Sequence, residues 1–309
     1  MTYRIALPVG GRLPSLDIID PNSSAVQRFL RREALAGYEP STAAALLASF
    51  GRAGAGFSFV DVGANIGLYS ALCAALFEPS HVLALEPTPS IAAIARQIAD
   101  ANGLTIDVQE LAASSSARVA SLHLADAADV SNSLESGFKA SEQSVEVQTV
   151  RLDDLIESTH AAPLVMKIDV EGHEAPALEG ARTVLERRRP VVVVEVLNRR
   201  NGRLAEAISA AIAGLGYRAY ELAPQPTWDE HDGPVSVGEH RDWLLLPDPI
   251  DDAFIEAWSR WSERLSACTP DRSSRLPIIR TTLAAFRRGG VSEVKASFDR
   301  FRRASRRAT

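Results

Sequence analysis

The sequence predicts an α/β fold built on a doubly wound, mostly parallel sheet, and three observations carry that expectation. Short apolar runs alternate with helical faces from residue 57 to residue 246. One run, Val191-Val192-Val193-Val194-Glu195-Val196, is almost pure valine, which suits a strand covered on both faces. A glycine-containing turn, Asp61-Val62-Gly63-Ala64-Asn65-Ile66-Gly67, joins the first run to the first helical face. Such alternation implies parallel strands joined by crossover helices, with ligands held beyond the carboxyl ends of the strands.

Residues 1–40, punctuated by Gly10-Gly11, Pro14 and Pro21, read as a short leader of strand and loop. Ser41 and Thr42 carry hydroxyls suited to capping a helix that runs to Phe50, before Gly51, Gly54 and Gly56 interrupt it. Residues 57–62 form a buried strand, and Tyr69, Leu72, Cys73 and Leu76 recur at helical spacing. Strand 81–85 follows, then a helical face of Ile91, Ile94, Ala95 and Ile98 that ends at Asn102-Gly103. Residues 106–111 are a third strand, and the polar stretch 113–148 holds strand-like pieces at 119–124 and 145–150. Strand 164–168 and helix 174–188 precede the valine strand. Leu204, Ile208, Ala211, Ile212 and Leu215 make another helical face, and 217–222 and 243–246 are closing strands around a Pro-rich loop. Phe254, Trp258, Trp261 and Leu265 form one further stripe; Val291, Val294, Phe298 and Phe301 form another. The plan is a leader and cap region at 1–56, a catalytic domain at 57–247 and a helical, basic extension at 248–309.

The chain has 309 residues, 46% of them hydrophobic, enough to bury one medium core with extensions. Its net charge of −6 is uneven: residues 250–309 hold 13 Lys and Arg against 7 Asp and Glu, and the rest holds 20 against 32. An acidic body of this kind argues against a nucleic-acid partner, which needs a broad basic face. Two cysteines, Cys73 and Cys268, exclude a disulfide framework. With no signal-peptide pattern and no long apolar run, the expected location is cytoplasmic.

The glycine turn is not the G-x-G-x-x-G of dinucleotide sites, because Asn65 stands at the middle glycine position. Gly63 allows a tight turn and a close ligand, and Gly67 allows close helix packing. Asp61 at the strand end would repel a pyrophosphate but suits a cationic amino group. Glu86-Pro87 ends the second strand, where a carboxylate can accept the hydroxyls of a ribose. The third strand leads to Ala112, placed to line an adenine pocket. Each feature alone has a bland explanation, a packing turn or a solvated helix start. Their order and spacing favour a nucleoside-containing cofactor.

These residues resemble the motifs of FkbM-type methyltransferases. Asp61 to Ser70 resembles the family's opening motif, and Glu86-Pro87-Thr88-Pro89 its second. Ser131-Asn132-Ser133-Leu134 and Val147 to Leu155 are similar to later segments. Lys167-Ile168-Asp169-Val170-Glu171-Gly172-His173-Glu174 is the most specific match, and Gly37-Tyr38-Glu39-Pro40 resembles a stretch just ahead of the domain. The resemblance covers residues 38–247. It implies a Rossmann-like class I methyltransferase fold, S-adenosylmethionine as donor, and oxygen methylation of a sugar, polyketide or lipid-linked metabolite. The cofactor-binding residues are then Asp61, Gly63, Asn65, Gly67, Glu86, Pro87, Ala112 and Asp169.

An alcohol acceptor must lose a proton, so a base is required within hydrogen-bond reach. His173, whose ordinary pKa lies near neutrality, is the expected base or orienting group, with Asp169 and Glu171 beside it. The competing explanation makes His173 a helix-start residue and Glu174 a partner of the helix dipole. A divalent ion gathered by Asp169, Glu171 and Glu195 is the less favoured device. Lys167 is expected to be a strand-end residue with a solvated amine. The basic residues from Arg287 to Arg307 suit either a helix packed on the domain or a second copy, which is favoured, or contact with an anionic membrane. Two other readings compete with a methyltransferase: a non-catalytic cofactor-binding scaffold and a nicotinamide-dependent oxidoreductase.

Overall fold

The structure is a computed structural model that describes residues 2–8, 12–19, 24–124, 132–134, 144–156, 162–197, 203–235 and 242–270. An antiparallel pair, β1 (Thr2–Ala6) and β2 (Ser15–Ile19), opens the chain, followed by α1 (Ala25–Gly37) and α2 (Pro40–Ala53). The leader is thus more structured than its punctuation suggests. A capping box starts α1: Gln27 N donates to Ser24 Oγ at 3.1 Å, and Ser24 N donates to Gln27 Oε1 at 2.9 Å. Ser41 and Thr42 do not cap α2. Pro40 occupies its first turn, and both hydroxyl residues are buried inside the helix.

Then come β3 (Ser58–Val62), α3 (Leu68–Leu76), β4 (His81–Leu85), α4 (Pro89–Ala101), β5 (Asp107–Gln109), β6 (Leu111–Ala113), β7 (Arg118–His123), β8 (Ser144–Val150), α5 (Leu152–Leu155) and β9 (Leu164–Ile168). The chain continues with α6 (Glu174–Glu179), α7 (Arg182–Arg188), β10 (Val191–Glu195), α8 (Arg203–Ile212), β11 (Arg218–Glu221), β12 (Asp242–Leu246) and α9 (Asp252–Ser266). The expected single helix at 174–188 is two. A Cβ on Gly180 would sit 2.0 Å from the Ser114 carbonyl oxygen, so the chain bends where that carbonyl approaches. The third expected strand also divides: β5 pairs with β4, whereas β6 pairs with β8 in a second sheet.

The main sheet has the order β11-β12-β10-β9-β3-β4-β5, and a smaller one has the order β6-β8-β7. Strands β10, β9, β3, β4 and β5 are parallel, and β12 runs antiparallel between β10 and β11. This is the expected Rossmann-like α/β arrangement with an antiparallel closure. The winding reverses between β3 and β9, because successive strands step outward from β3 in one direction through β4 and in the other through β9. Such a switch point opens a crevice beyond the strand ends.

The helix at 252–266 packs on α2 and buries Phe254, Trp258 and Leu265. Burying such a side chain stabilises by about 1.5–3 kcal/mol, so α9 holds the N-terminal helix over one edge of the crevice. Trp258 Nε1 donates to the Ser41 carbonyl at 3.1 Å. The chain divides at Pro270. The basic stretch beyond it, with its Val291, Val294, Phe298 and Phe301 stripe, lies outside the described residues. Cys73 and Cys268 are free and buried. Among the described residues no helix is long and apolar enough to cross a membrane.

Candidate active site

The switch point is built around one close approach. Gly63 has φ +75°, and a Cβ there would lie 1.9 Å from the Asp169 carbonyl oxygen. Asp169 N donates to the Val62 carbonyl at 3.0 Å, so the ends of β3 and β9 are locked together. Gly67, at φ +73°, starts α3, and a Cβ there would press on Ala95. Asp61 is fully buried beneath the turn. Its Oδ2 accepts from Ser70 N at 3.1 Å and Ser70 Oγ at 2.7 Å. Its Oδ1 is buried with no hydrogen-bond partner among the described residues. Burial raises the Asp61 pKa, while Lys167 and Ser70 pull it back. A buried carboxyl oxygen left open in this way can take one further hydrogen-bond donor.

Glu86 is also buried. Asn65 N donates to its Oε2 at 3.0 Å and Thr88 N to its Oε1 at 2.8 Å. Asn65 adopts φ +51°, which turns its amide toward Glu86. Pro87, half-buried, joins Glu86 to the start of α4. Each Glu86 oxygen keeps a second lone pair for a ligand hydroxyl. Ala112 packs with Leu122 and Val147 in the core of the small sheet.

The connection after β9 holds the reactive side chains. Lys167 is not solvated: it is 4% exposed, donates to Asp169 Oδ2 at 2.6 Å and lies 5.0 Å from the Tyr69 ring centre. Burial opposes its charge, but Asp169, Glu39 and Asp61 together raise its pKa above the ordinary value. Glu171 adopts φ +55° and is followed by Gly172 at φ +103°. Glu174 pins this turn by accepting from Val170 N and Gly172 N, both at 3.0 Å. Burial pushes the Glu174 carboxyl up to about 7, against those amide bonds. His173 is buried at the start of α6, and its Nε2 lies 2.9 Å from Ser114 Oγ.

Asp169, Glu171 and Glu195 bring carboxylate oxygens within 4.8 Å of one another, and His173 is not part of that group. Burial raises the Glu195 pKa well above its usual range, reinforced by Asp169, Glu171 and Asp242. The three acids are the set a divalent ion would use. Two other features answer the same charge: the Lys167 ammonium on Asp169, and the preference of Glu195 for its neutral form.

Several participants were given no role at this site by the sequence. Glu39, at φ +42°, precedes α2 and accepts from Tyr69 OH at 2.7 Å. Thr42 donates to Asp242 Oδ2 at 2.6 Å, joining residues 200 apart in the chain. Asn132 Nδ2 donates to Thr88 Oγ1 at 3.2 Å and Ser133 Oγ to the Glu171 carbonyl at 2.7 Å, so the short polar segment bridges the second and fourth strand ends. The hints were the proline after Glu39, which marks a helix start, and the family-like stretches that hold Glu39, Asn132 and Ser133.

The site therefore has an open buried anion, a glycine turn, a ribose-competent carboxylate and a group of acids at one switch point. A methyltransferase FkbM domain model matches residues 61–222, just over half of the chain. A hexuronic acid methyltransferase, AglP, of Haloferax volcanii is 31% identical over 135 residues, covering 43% of this chain. The matched region spans about half the length of that relative (53%). A methyltransferase FkbM from Methylobacillus flagellatus is 19% identical, with 62% of this chain and 43% of that one covered and a TM-score of 0.39. An S-adenosylmethionine-dependent methyltransferase from Agrobacterium tumefaciens is 10% identical, with 80% and 70% covered and a TM-score of 0.41. The domain match, which runs from Asp61 through the acids after β9 to the end of β11, places this chain in the FkbM methyltransferase family.

Proposed function

We propose that the chain transfers a methyl group from S-adenosylmethionine to a hydroxyl of a sugar or a sugar-bearing lipid. One observation carries the cofactor choice: the buried, unpartnered Asp61 Oδ1 beneath the glycine turn. It fits the cationic amino end of S-adenosylmethionine and disfavours the pyrophosphate of a nicotinamide cofactor. Glu86 offers its remaining lone pairs to the ribose hydroxyls, and Gly63 and Asn65 keep the backbone close. Asp169, tied to Lys167, separates the cofactor side from the acceptor side. When bound, the cofactor supplies a methyl group already activated by its sulfonium. The residues must then align the acceptor oxygen and exclude water, and good alignment is worth about 7–11 kcal/mol.

The archaeal relative supports a sugar acceptor. The crevice itself argues against a hexuronate. Glu39, Asp169, Glu171, Glu195 and Asp242 interact around Lys167, which is already paired. A neutral polyol can donate hydroxyls to these carboxylates, whereas an anionic sugar meets like charge. Nucleic acid is no partner in this reading.

The test is calorimetric titration with S-adenosylhomocysteine, beside an NAD control and a Glu86→Ala variant. Micromolar binding of the homocysteine product, weakened in the variant and absent with NAD, is the expected result. No binding would leave a scaffold that keeps the fold without the reaction.

A further inference from the structure

We propose that Glu39 is the base that takes the proton from the acceptor hydroxyl, an assignment that rests on the methyltransferase reading of the crevice above. Four observations place it there. The residue is exposed at the head of α2 while protein surrounds its carboxyl, whereas His173 is buried as a whole. It holds a left-handed backbone at φ +42° and ψ +53°, immediately before Pro40. A residue with a Cβ keeps that conformation only where its surroundings impose it, and such positions gather at functional sites. Its Oε2 accepts from Tyr69 OH at 2.7 Å, which fixes one oxygen and leaves Oε1 to meet a ligand. Tyr69 belongs to α3, the helix opened by the cofactor-binding glycine turn, so the same contact ties Glu39 to the cofactor side.

The charged neighbours set its readiness. Asp242 from β12 and Asp169 after β9 face it with negative charge, Lys167 from β9 faces it with positive charge, and Tyr69 donates from α3. Tyr38 precedes it in the chain, and Glu195 from β10 interacts with Asp169 and Asp242. Crowding by protein, then Asp242, pushes the Glu39 carboxyl up to about 7 despite Lys167. A base with a pKa near the working pH transfers protons most efficiently. The step balances simply. The acceptor oxygen forms its bond to the methyl carbon as the carbon–sulfur bond breaks, sulfur keeps that electron pair, and the hydroxyl proton passes to Glu39 Oε1.

Full-length wild type, Glu39→Gln and Glu39→Asp are compared by three measurements. These are calorimetric binding of S-adenosylhomocysteine, radiolabelled methyl transfer to a panel of neutral hexosides, and carboxyl NMR of protein labelled at glutamate. Glu39→Gln keeps the Tyr69 contact and is expected to bind the homocysteine product like wild type. Its kcat should fall at least about a hundredfold, with loss of the acidic limb of its pH profile. Glu39→Asp should recover part of the rate. Glu39 and Glu174 should both titrate near neutrality in wild type, and one of those two signals should vanish in Glu39→Gln. Turnover in Glu39→Gln within threefold of wild type, or an unchanged acidic limb, overturns the assignment alone. Wild type that binds no S-adenosylhomocysteine, or methylates no hexoside, overturns the underlying function and this assignment with it.

Discussion

Substituting Gly63 with alanine probes the joint between the cofactor turn and the acids after β9. The added Cβ would stand 1.9 Å from the Asp169 carbonyl oxygen and 2.9 Å from its carbonyl carbon. Ordinary contact begins at 3.4 Å, so the two strand ends must separate by about 1.5 Å. A second cost is conformational, since φ +75° disfavours any residue with a Cβ by roughly 1–2 kcal/mol. Forced repacking adds about 1–3 kcal/mol, and the stiffer unfolded chain returns about 0.4–1 kcal/mol. The net loss is then about 2–4 kcal/mol, a large part of a stability of about 5–15 kcal/mol. Gly103→Ala is the control. That glycine also has positive φ, but nothing lies within 4 Å of its absent Cβ, so only the conformational cost applies, about 1 kcal/mol net. Urea midpoints at a common m value separate the two variants. A shift of about 1.5 Å at Asp169 should also cut methyl transfer by about a hundredfold, while Gly103→Ala stays at the wild-type rate. Equal midpoints for the two variants would refute the claim that this backbone approach demands glycine.

Asp61→Asn removes the negative charge from the open buried position. Binding of S-adenosylhomocysteine should weaken about 10- to 100-fold, the worth of a hydrogen bond to a charged group; unchanged calorimetric affinity would show that the amino group is held elsewhere. His173→Ala leaves the Ser114 hydroxyl without its ring partner and should cost about 1–3 kcal/mol in urea unfolding while turnover stays within about tenfold. Abolished turnover at undiminished stability would identify His173 as the base. EDTA should leave methyl transfer unchanged, because Lys167 and the raised pKa of Glu195 already offset the crowded acids. Loss of activity that magnesium restores would establish Asp169, Glu171 and Glu195 as ligands.

Much of the fold was legible in the sequence because its cues are local. Strand and helix periodicity from residue 57 onward, the valine strand and the turn from Asp61 to Gly67 each depend on near neighbours in the chain. The capping box of α1, Ser24 and Gln27, is equally local, although the leader reading of residues 1–40 passed over it. The order of Asp61, Glu86 and Asp169 pointed to one site because parallel strands place their carboxyl ends on one edge.

Tertiary structure decided the rest, because side-chain direction and long-range approach leave no local trace. Gly180 splits a continuous helical pattern only because the Ser114 carbonyl arrives against it. Lys167 looks like a solvated strand end in sequence, but Tyr69 and Asp169 enclose it. His173 points to Ser114, 59 residues away, rather than into the group of acids that follows β9. Glu39 enters the crevice because α9 packs on α2 and Thr42 reaches Asp242 across 200 residues. The sequence by itself determined the alternating architecture and the glycine turn at its switch point, since both follow from periodicity and contiguous residues. Only the tertiary structure decided which acids meet, which cation they share and which group can take a proton, since those depend on distances set by packing.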